Sequence, residues 1–435
     1  MKTLVTGFCL FGIVLSLCFG CTNSSSGKGD LIVVDTKANF PEKEICIQDL
    51  ADVSYIPLYI SDSTLVLRIF SVTPDGIAAE GEKKCILLFT PDGKALQGMV
   101  SRNGEGPEEY SGICDYFVDW KRKEVFVFQD FRSVKVYDFQ GRFLRELLAN
   151  NRSRLAFASV GVSDFVCTYS NNEMQTGSRP YFRFSKETGK VDTLDAVTVN
   201  EQIFINRKIL WDDGRETQAK GGVNCLFSMM DAGFLTNPSL DTVFQVLPDW
   251  SMKAVVMPAV SPRKDKNVPL LDFLGASDSY LWAQFHVRHV TVRMSDMMAG
   301  RREDSPSVNM YDFRTGEWCV PKYVNRDFSS ESCYLSQYIS LFAVPYGYGM
   351  MTLGAPELIE AREAGEVVND ELNQLISSLD EESNPVIVLL KFKSASGRED
   401  FSAQFVLQEV RPGFYPEVDH GYYGQGRSKE IGHAE

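Results

Sequence analysis

The sequence predicts an all-β fold, a six-bladed β-propeller with a short helical insertion in its last blade. Three observations predict it. First, short runs rich in β-branched and aromatic residues recur, as in Cys85–Phe89 (CILLF), Glu124–Phe128 (EVFVF), Ser133–Tyr137 (SVKVY) and Asp241–Val246 (DTVFQV). That composition suits a pleated, buried strand. Second, turns bearing Asp and Gly close apparent hairpins at Thr90–Gly93, Tyr137–Gly141, Ser185–Gly189, Leu247–Trp250, Tyr311–Gly316 and Lys393–Gly397. Asp supplies a side-chain acceptor for such a turn and Gly tolerates positive φ. Third, the turns are spaced. Gly93 to Gly141 is 48 residues, Gly141 to Gly189 is 48, and the next intervals are 60 to Asp249, 67 to Gly316 and 81 to Gly397. A period of about 40–50 residues is that of a four-stranded blade. Six turns imply six blades, the later ones lengthened by insertions.

In chain order, residues 1–20 read as a leader. Lys2 gives a positive start, and Leu4 to Phe19 form an uncharged run of 16 residues. That run is shorter than the roughly 20 apolar residues of a spanning helix. Residues 21–30 read as a tether, because Thr22–Gly29 is polar and Ser/Gly-rich. Residues 31–393 make the propeller. A ring must close its last sheet edge, and Leu31–Val34 or Glu44–Ile47 is expected to supply that strand to the last blade. A helical insertion is expected at about 356–380. There Leu372, Leu375, Ile376 and Leu379 share one helix face, Pro356 suits a first turn and Gly365 divides the segment into two short helices. Asn384-Pro385 stops it, and Val386–Phe392 returns to a buried strand. Residues 394–435, rich in Gly, Tyr and charge, read as a C-terminal extension.

Composition narrows the partners. Lys and Arg number 44 against 58 Asp and Glu, a net charge of −14. Such a chain has no electrostatic reason to bind nucleic acid. Beyond Cys21 the segment after the leader holds Cys46, Cys85, Cys114, Cys167, Cys225, Cys319 and Cys333, with no CxxC and no Cys/His cluster. A zinc site is not expected. Most of these cysteines read as small buried hydrophobes, with Cys319–Cys333 the pair to test first for a disulfide.

Cys18-Phe19-Gly20-Cys21 resembles a lipobox, the site cut by bacterial lipoprotein signal peptidase. Cys18 stands where Leu is usual, and Leu17 lies one place earlier. The resemblance implies cleavage before Cys21 and lipid on that cysteine; the alternative is an ordinary secretory cut nearby. Residues 22–29 hold no Asp or Glu, so the acidic export signal found after the cysteine of some surface lipoproteins is missing. The expected location is the outer membrane, with the domain facing the periplasm.

Ser101-Arg-Asn-Gly-Glu-Gly-Pro-Glu-Glu-Tyr110 resembles the R-x-G-x-G-P-x-E-[YF] signature of Bacteroidota-type six-bladed β-propeller lipoproteins, relatives of NHL-repeat propellers. Arg102, Gly104, Gly106, Pro107, Glu109 and Tyr110 carry the match. Asp130–Asp138, Asp241–Phe244 and Asn384–Lys391 are similar to blade strands of that family. The resemblance implies an exported propeller and no settled activity. For the signature segment two readings stay open: structure that hands one blade to the next, and contact with a ligand through backbone amides. It has neither a Walker lysine nor a Rossmann context.

Other constellations carry less. His286 and His289 stand three apart, which on a strand puts them on opposite faces. The remaining histidines are His420 and His433, so the three-histidine lyase centre of some NHL-type propellers is not expected. Asp212-Asp213 and Asp380-Glu381-Glu382 lack EF-hand spacing and read as solvated loops. Trp211, Trp250, Trp282 and Trp318 read as packing between blades, with a glycan platform as the alternative. No G-x-S-x-G element occurs. The sequence therefore predicts a membrane-anchored exported lipoprotein whose propeller binds or scaffolds without catalysis, with no cofactor and no metal. Its partners would be the lipid bilayer through Cys21 and a glycan, peptide or envelope protein. A lyase or hydrolase using the central cavity is the alternative.

Overall fold

The computed structural model describes residues 31–393, apart from 60, 62–63, 130–132, 149–154, 170–178, 222–225, 230–231, 299–305 and 330–347. The expected leader, Cys21, the tether, Cys225, Cys333, the Lys393–Gly397 turn past its first residue and the extension 394–435 lie outside the described residues.

The chain begins with β1 (Ile32–Val34), β2 (Glu42–Cys46), a one-turn helix α1 (Ile47–Leu50) and β3 (Ala51–Ile56). A first meander follows, β4 (Val66–Thr73), β5 (Gly76–Gly81), β6 (Cys85–Phe89) and β7 (Leu96–Val100). The second is β8 (Asp115–Asp119), β9 (Glu124–Phe128), β10 (Ser133–Asp138) and β11 (Phe143–Leu148). The third is β12 (Leu155–Val160), β13 (Asp164–Tyr169), β14 (Tyr181–Ser185) and β15 (Val191–Thr193). After β16 (Ile205–Leu210) and β17 (Glu216–Gly221) comes the fourth, β18 (Leu226–Met229), β19 (Ala232–Leu235), β20 (Val243–Val246) and β21 (Met252–Pro258). The fifth starts with β22 (Leu270–Ala276) and β23 (Tyr280–His286). It is then interrupted by β24 (His289–Arg293) and α2 (Met294–Met298), and resumes with β25 (Val308–Asp312) and β26 (Glu317–Val324). The last sheet holds β27 (Tyr348–Leu353) and β28 (Val386–Phe392), with α3 (Ala355–Glu363) and α4 (Asp370–Ile376) between them.

The turns expected from sequence join the last two strands of five successive meanders, and their chemistry is local. Asp138 Oδ1 accepts from the Gln140 and Arg142 amides, and Gly141 N returns to Asp138 O at 3.0 Å. Gly93, Gly141, Gly189 and Gly316 hold φ between +70° and +74°. Trp250 takes the equivalent position at +67° without being glycine.

The long intervals hold extra elements. β16 and β17 lie in the 60-residue interval, β24 and α2 in the 67-residue one. β16 pairs β17 antiparallel and β24 parallel, so the two insertions join as a separate three-stranded sheet.

One expectation is corrected. Neither Leu31–Val34 nor Glu44–Ile47 reaches the last sheet. β1 pairs parallel with β21 (Ile32↔Val256) and β2 parallel with β26 (Glu42↔Val320). The strand added to β28 is β3, antiparallel, with Ser54 opposite Leu389. The apolar residues of these segments are buried, Ile32 and Val34 on one side of β1 and Ile45, Cys46 and Ile47 in succession, but β1 and β2 lie on the outer edges of the fourth and fifth meanders.

Packing links each sheet to the next. Ile86, Leu88 and Val100 meet Tyr116, Val125 and Val127 between the first and second. Phe126 and Phe128 meet Phe165 and Phe184 between the second and third, and Val166 and Tyr181 meet Leu235 and Val246 between the third and fourth. A larger core joins Phe234 and Val256 of the fourth, Phe273 and Trp282 of the fifth, and Val388 and Leu390 of the last. Ile387 and Met350 of the last sheet then pack with Ile77, Leu87 and Phe89 of the first. Each fully buried Phe of this kind contributes about 1.5–3 kcal/mol. The fold is thus mostly β, a propeller-like succession of small meanders.

Candidate functional site

The signature segment crosses from β7 to β8. Several of its polar groups are used within the fold. Tyr110 is fully buried, with Oη 2.7 Å from Lys84 O and 3.1 Å from Val100 O. Its amide donates to Arg102 O and its carbonyl accepts from Gly104 N. Arg102 Nε donates to Gly141 O at 2.9 Å, tying the loop to the turn of the second meander. Glu109 folds back so that Oε2 accepts from Gly106 N at 2.9 Å. A Cβ on Gly104 would lie 2.0 Å from that oxygen, so glycine there keeps the carboxylate seated. The buried Lys135 donates from Nζ to Pro107 O, and Tyr137 Oη donates to Glu108 O at 2.9 Å. Tyr110 and Tyr137 meet edge to face at 5.8 Å. Just before the loop, a Cβ on Gly98 would stand 2.2 Å from Phe139 O, so backbone lies against backbone where the two sheets meet. Burial pushes the Tyr110 hydroxyl up to about 12, which keeps it a hydrogen-bond donor at physiological pH.

Tyr110→Phe should therefore lower stability by about 1–2 kcal/mol, because two buried carbonyls and the Arg102 amide lose a partner. Urea denaturation checks it; an unchanged midpoint would mean water replaces the hydroxyl.

The loop delivers the chain to Asp115 at the start of β8. Asp115 is exposed at the surface. Loss of solvating water pushes its carboxyl up to about 6, against a lowering hydrogen bond from Tyr116 N and the field of Arg68. Arg68 lies on the neighbouring first strand, β4. It pairs with Glu80 at 3.1 Å, and its guanidinium sits 4.0 Å over the Phe70 ring. Phe70 in turn packs 4.2 Å from Tyr116. Sequence reading passed over Arg68 and Asp115 because a charge on a short strand ordinarily marks its solvent side. Nothing local in either segment distinguishes them.

A second pair lies on the first two strands of the fifth meander. His286 Nε2 is 3.2 Å from Asp272 Oδ2. Asp272 is 6% exposed and its Oδ1 has no hydrogen-bond partner. His289 belongs to β24 in another sheet, so the two histidines do not converge. Among the described residues no group of three or more His, Cys, Asp or Glu side chains stands close enough to hold a metal ion. Asp213 caps its own turn through Arg215, and Asp380 does so through Ser383. Trp282 is buried and donates to Tyr323 Oη, and Trp318 stacks on Phe40. Trp250 lies under Arg183, and Trp211 donates to Thr217. The four stand on separate elements. Cys46, Cys85, Cys167 and Cys319 are buried thiols, Cys114 an exposed one. The Cys319–Cys333 pairing involves a residue outside the described set.

Successive antiparallel meanders packed face to face define a propeller-like protein. A family model, the domain of unknown function DUF4934, matches residues 31–391, and the chain belongs to that family. The crystal structure of a Bacteroides fragilis protein named for inferred export is similar at a TM-score of 0.53 and 12% identity, covering 82% of this chain and all of that one. A member of the DUF4221 family from Bacteroides vulgatus matches at 0.42 and 10% identity, covering 80% of this chain and 98% of the other. A Bacteroides thetaiotaomicron protein of unknown function matches at 0.35 and 11%, covering 81% and 75%. No curated protein matches the chain. No helix among the described residues is long and apolar enough to cross a membrane.

Proposed function

We propose that this chain is an exported lipoprotein, anchored through Cys21 at the outer membrane and facing the periplasm. Its six-bladed, NHL-like propeller captures a ligand or partner without chemical turnover. The observation that carries the ring is the packing order. Each sheet shares a core with the next, and the last shares one with the first. β3 supplies the outer strand of the last blade from the opposite end of the chain. The first strand of each meander then lines the central channel, and Arg68, Asp115 and Asp272 lie toward the end where the blade-to-blade loops emerge. The Arg102, Gly104, Gly106, Pro107, Glu109 and Tyr110 signature serves as the blade link, since its side chains and amides are engaged internally.

A glycan, peptide or envelope protein is the expected occupant of that face, and an acidic surface disfavours nucleic acid. Thermal shift of the mature protein against glycan and peptide panels tests capture; a panel that moves no midpoint would count against it. A lyase or hydrolase using the cavity is the second reading, favoured by the Asp272–His286 pair, in which a buried carboxylate orients an imidazole. Turnover of a panel member would establish it. For the anchor, Cys21→Ser should abolish incorporation of labelled fatty acid and release the protein from the membrane fraction. Continued labelling would show that the lipid is carried elsewhere.

A further inference from the structure

The three-stranded sheet built from the two insertions ends in an open edge. β17 pairs β16 on one side, and among the described residues no strand lies on the other. Glu216 to Lys220 are exposed without interruption, so neither face of the strand is packed away. The edges of the meanders are treated differently. β21 and β26 are covered by β1 and β2, the hairpins ending in β7 and β11 carry register shifts, and β15 is three residues long. Covering, bulging and shortening are devices by which an edge avoids pairing. β17 has none of them. Its register against β16 runs through six consecutive pairs without a shift, and it contains no proline. Alternate residues of such a strand aim their backbone N–H and C=O groups outward, where water or another strand must meet them.

We propose that β17 pairs antiparallel with β17 of a second copy of this chain, about a two-fold axis at Gln218. The strand is self-complementary in that register. Glu216 of each copy lies opposite Lys220 of the other, Thr217 opposite Ala219, and Gln218 opposite Gln218. Opposite charges across a ladder are favourable and like charges unfavourable. Glu216, Gln218 and Lys220 project from one face. There Glu216 is 2.8 Å from Lys208, and the Lys220 ammonium stands 5.2 Å from the Phe204 ring centroid. Lys220 forms no ion pair among the described residues, so the second copy supplies its carboxylate. β24, the opposite edge of the same sheet, lacks this property. Reversed on itself it sets His289 against Arg293, and α2 follows it at once. The interface is isologous and closed. It uses up both copies of β17 and leaves one continuous sheet in the order β24-β16-β17-β17-β16-β24. An unrelated strand would meet the same backbone groups, but the charge order favours a second copy. The assignment is independent of whether the ring captures a ligand.

Sedimentation velocity of the full-length protein over a concentration series reads the assembly. The parent should pass from the monomer mass to twice that mass as concentration rises. Glu216→Lys and Lys220→Glu each set like charges opposite one another and should weaken the dimer by about tenfold or more, the equivalent of roughly 1.4 kcal/mol. Lys220→Glu leaves the Glu216–Lys208 pair intact, so it keeps the test decisive if the other variant folds poorly. An equimolar mixture of the two single variants should recover association as a mixed dimer, because each strand then carries one sign of charge. The double exchange in one chain, Glu216→Lys with Lys220→Glu, should dimerise more tightly than either single variant. A parent that stays monomeric at every concentration would overturn the proposal and leave the edge to a strand of another protein. A dimer that neither single variant weakens would overturn it by placing the interface elsewhere. Single variants whose mixture associates no better than each alone would overturn the register.

Discussion

Asp119→Ala should cost about 3–5 kcal/mol of stability, the range for removing one partner of a buried ion pair. Lys186 is 1% exposed and stands 3.5 Å from Asp119 Oδ2. Its ammonium also donates to Ser159 Oγ at 3.0 Å and lies within 5 Å of the Phe117 and Phe165 rings. Asp119 ends β8, while Lys186 and Ser159 belong to the third meander, so the pair pins the second blade-like sheet to the third. Without the carboxylate, the buried ammonium loses the opposite charge that Asp119 supplies, and its desolvation is less well offset. Replacing both, as Asp119→Leu with Lys186→Met, should recover most of the loss, because apolar groups of similar volume avoid the desolvation penalty. Chemical denaturation of the two variants measures the difference. A single variant within about 1 kcal/mol of the parent would mean that other groups already neutralise Lys186.

Asp327→Ala should cost about 2–4 kcal/mol, since hydrogen bonds to a charged group contribute about 1.5–3 kcal/mol and three donors are stranded together. Asp327 Oδ2 accepts from Tyr55 Oη at 2.7 Å and Gln48 Nε2 at 3.0 Å, and Oδ1 accepts from Asn369 Nδ2 at 2.9 Å. Asn325 completes the network, taking Gln48 Nε2 at 2.6 Å and donating to Tyr55 Oη at 2.8 Å. Gln48 belongs to α1, Tyr55 to β3 and Asn369 caps α4. One carboxylate thus holds α1, β3 and the helical insertion. The desolvated Tyr55 hydroxyl, held well above the ordinary tyrosine range by burial, stays a donor throughout physiological pH. Hydrogen exchange should show the loss concentrated in β3 and β28. Protection that falls evenly over all sheets would mean that Asp327 is not specific to the closure.

Much of this architecture is legible in the residues themselves. The Asp138–Arg142 turn is closed by hydrogen bonds among its own five residues, so its signal is complete in sequence. The same holds for the helical segment, whose Leu372 and Ile376 repeat at one face and bury there. The signature segment is legible as a constrained crossing, but not its partners. Lys135 and Tyr137 come from β10 and Lys84 from the turn between β5 and β6, and they carry no mark of that role.

The closing strand shows the limit most sharply. Ile32–Val34 and Ile45–Ile47 are more apolar than Ala51–Ile56, and apolarity predicts burial without predicting the neighbour. Which strand pairs with β28 is decided by register and by the Asp327 network, both of which join residues about 270 or more positions apart. Arg68 reads in the sequence as an ordinary strand charge, and only the β4–β5 register places it opposite Glu80.

The sequence by itself determined the repeating β pattern, the turns and the insertions, because each rests on contacts within a few residues. The tertiary structure alone decided how the N-terminal strands are shared among the sheets and which charges, such as Asp119 and Lys186, meet between them. Those features depend on long-range pairing and desolvation, and no local pattern of residues encodes either.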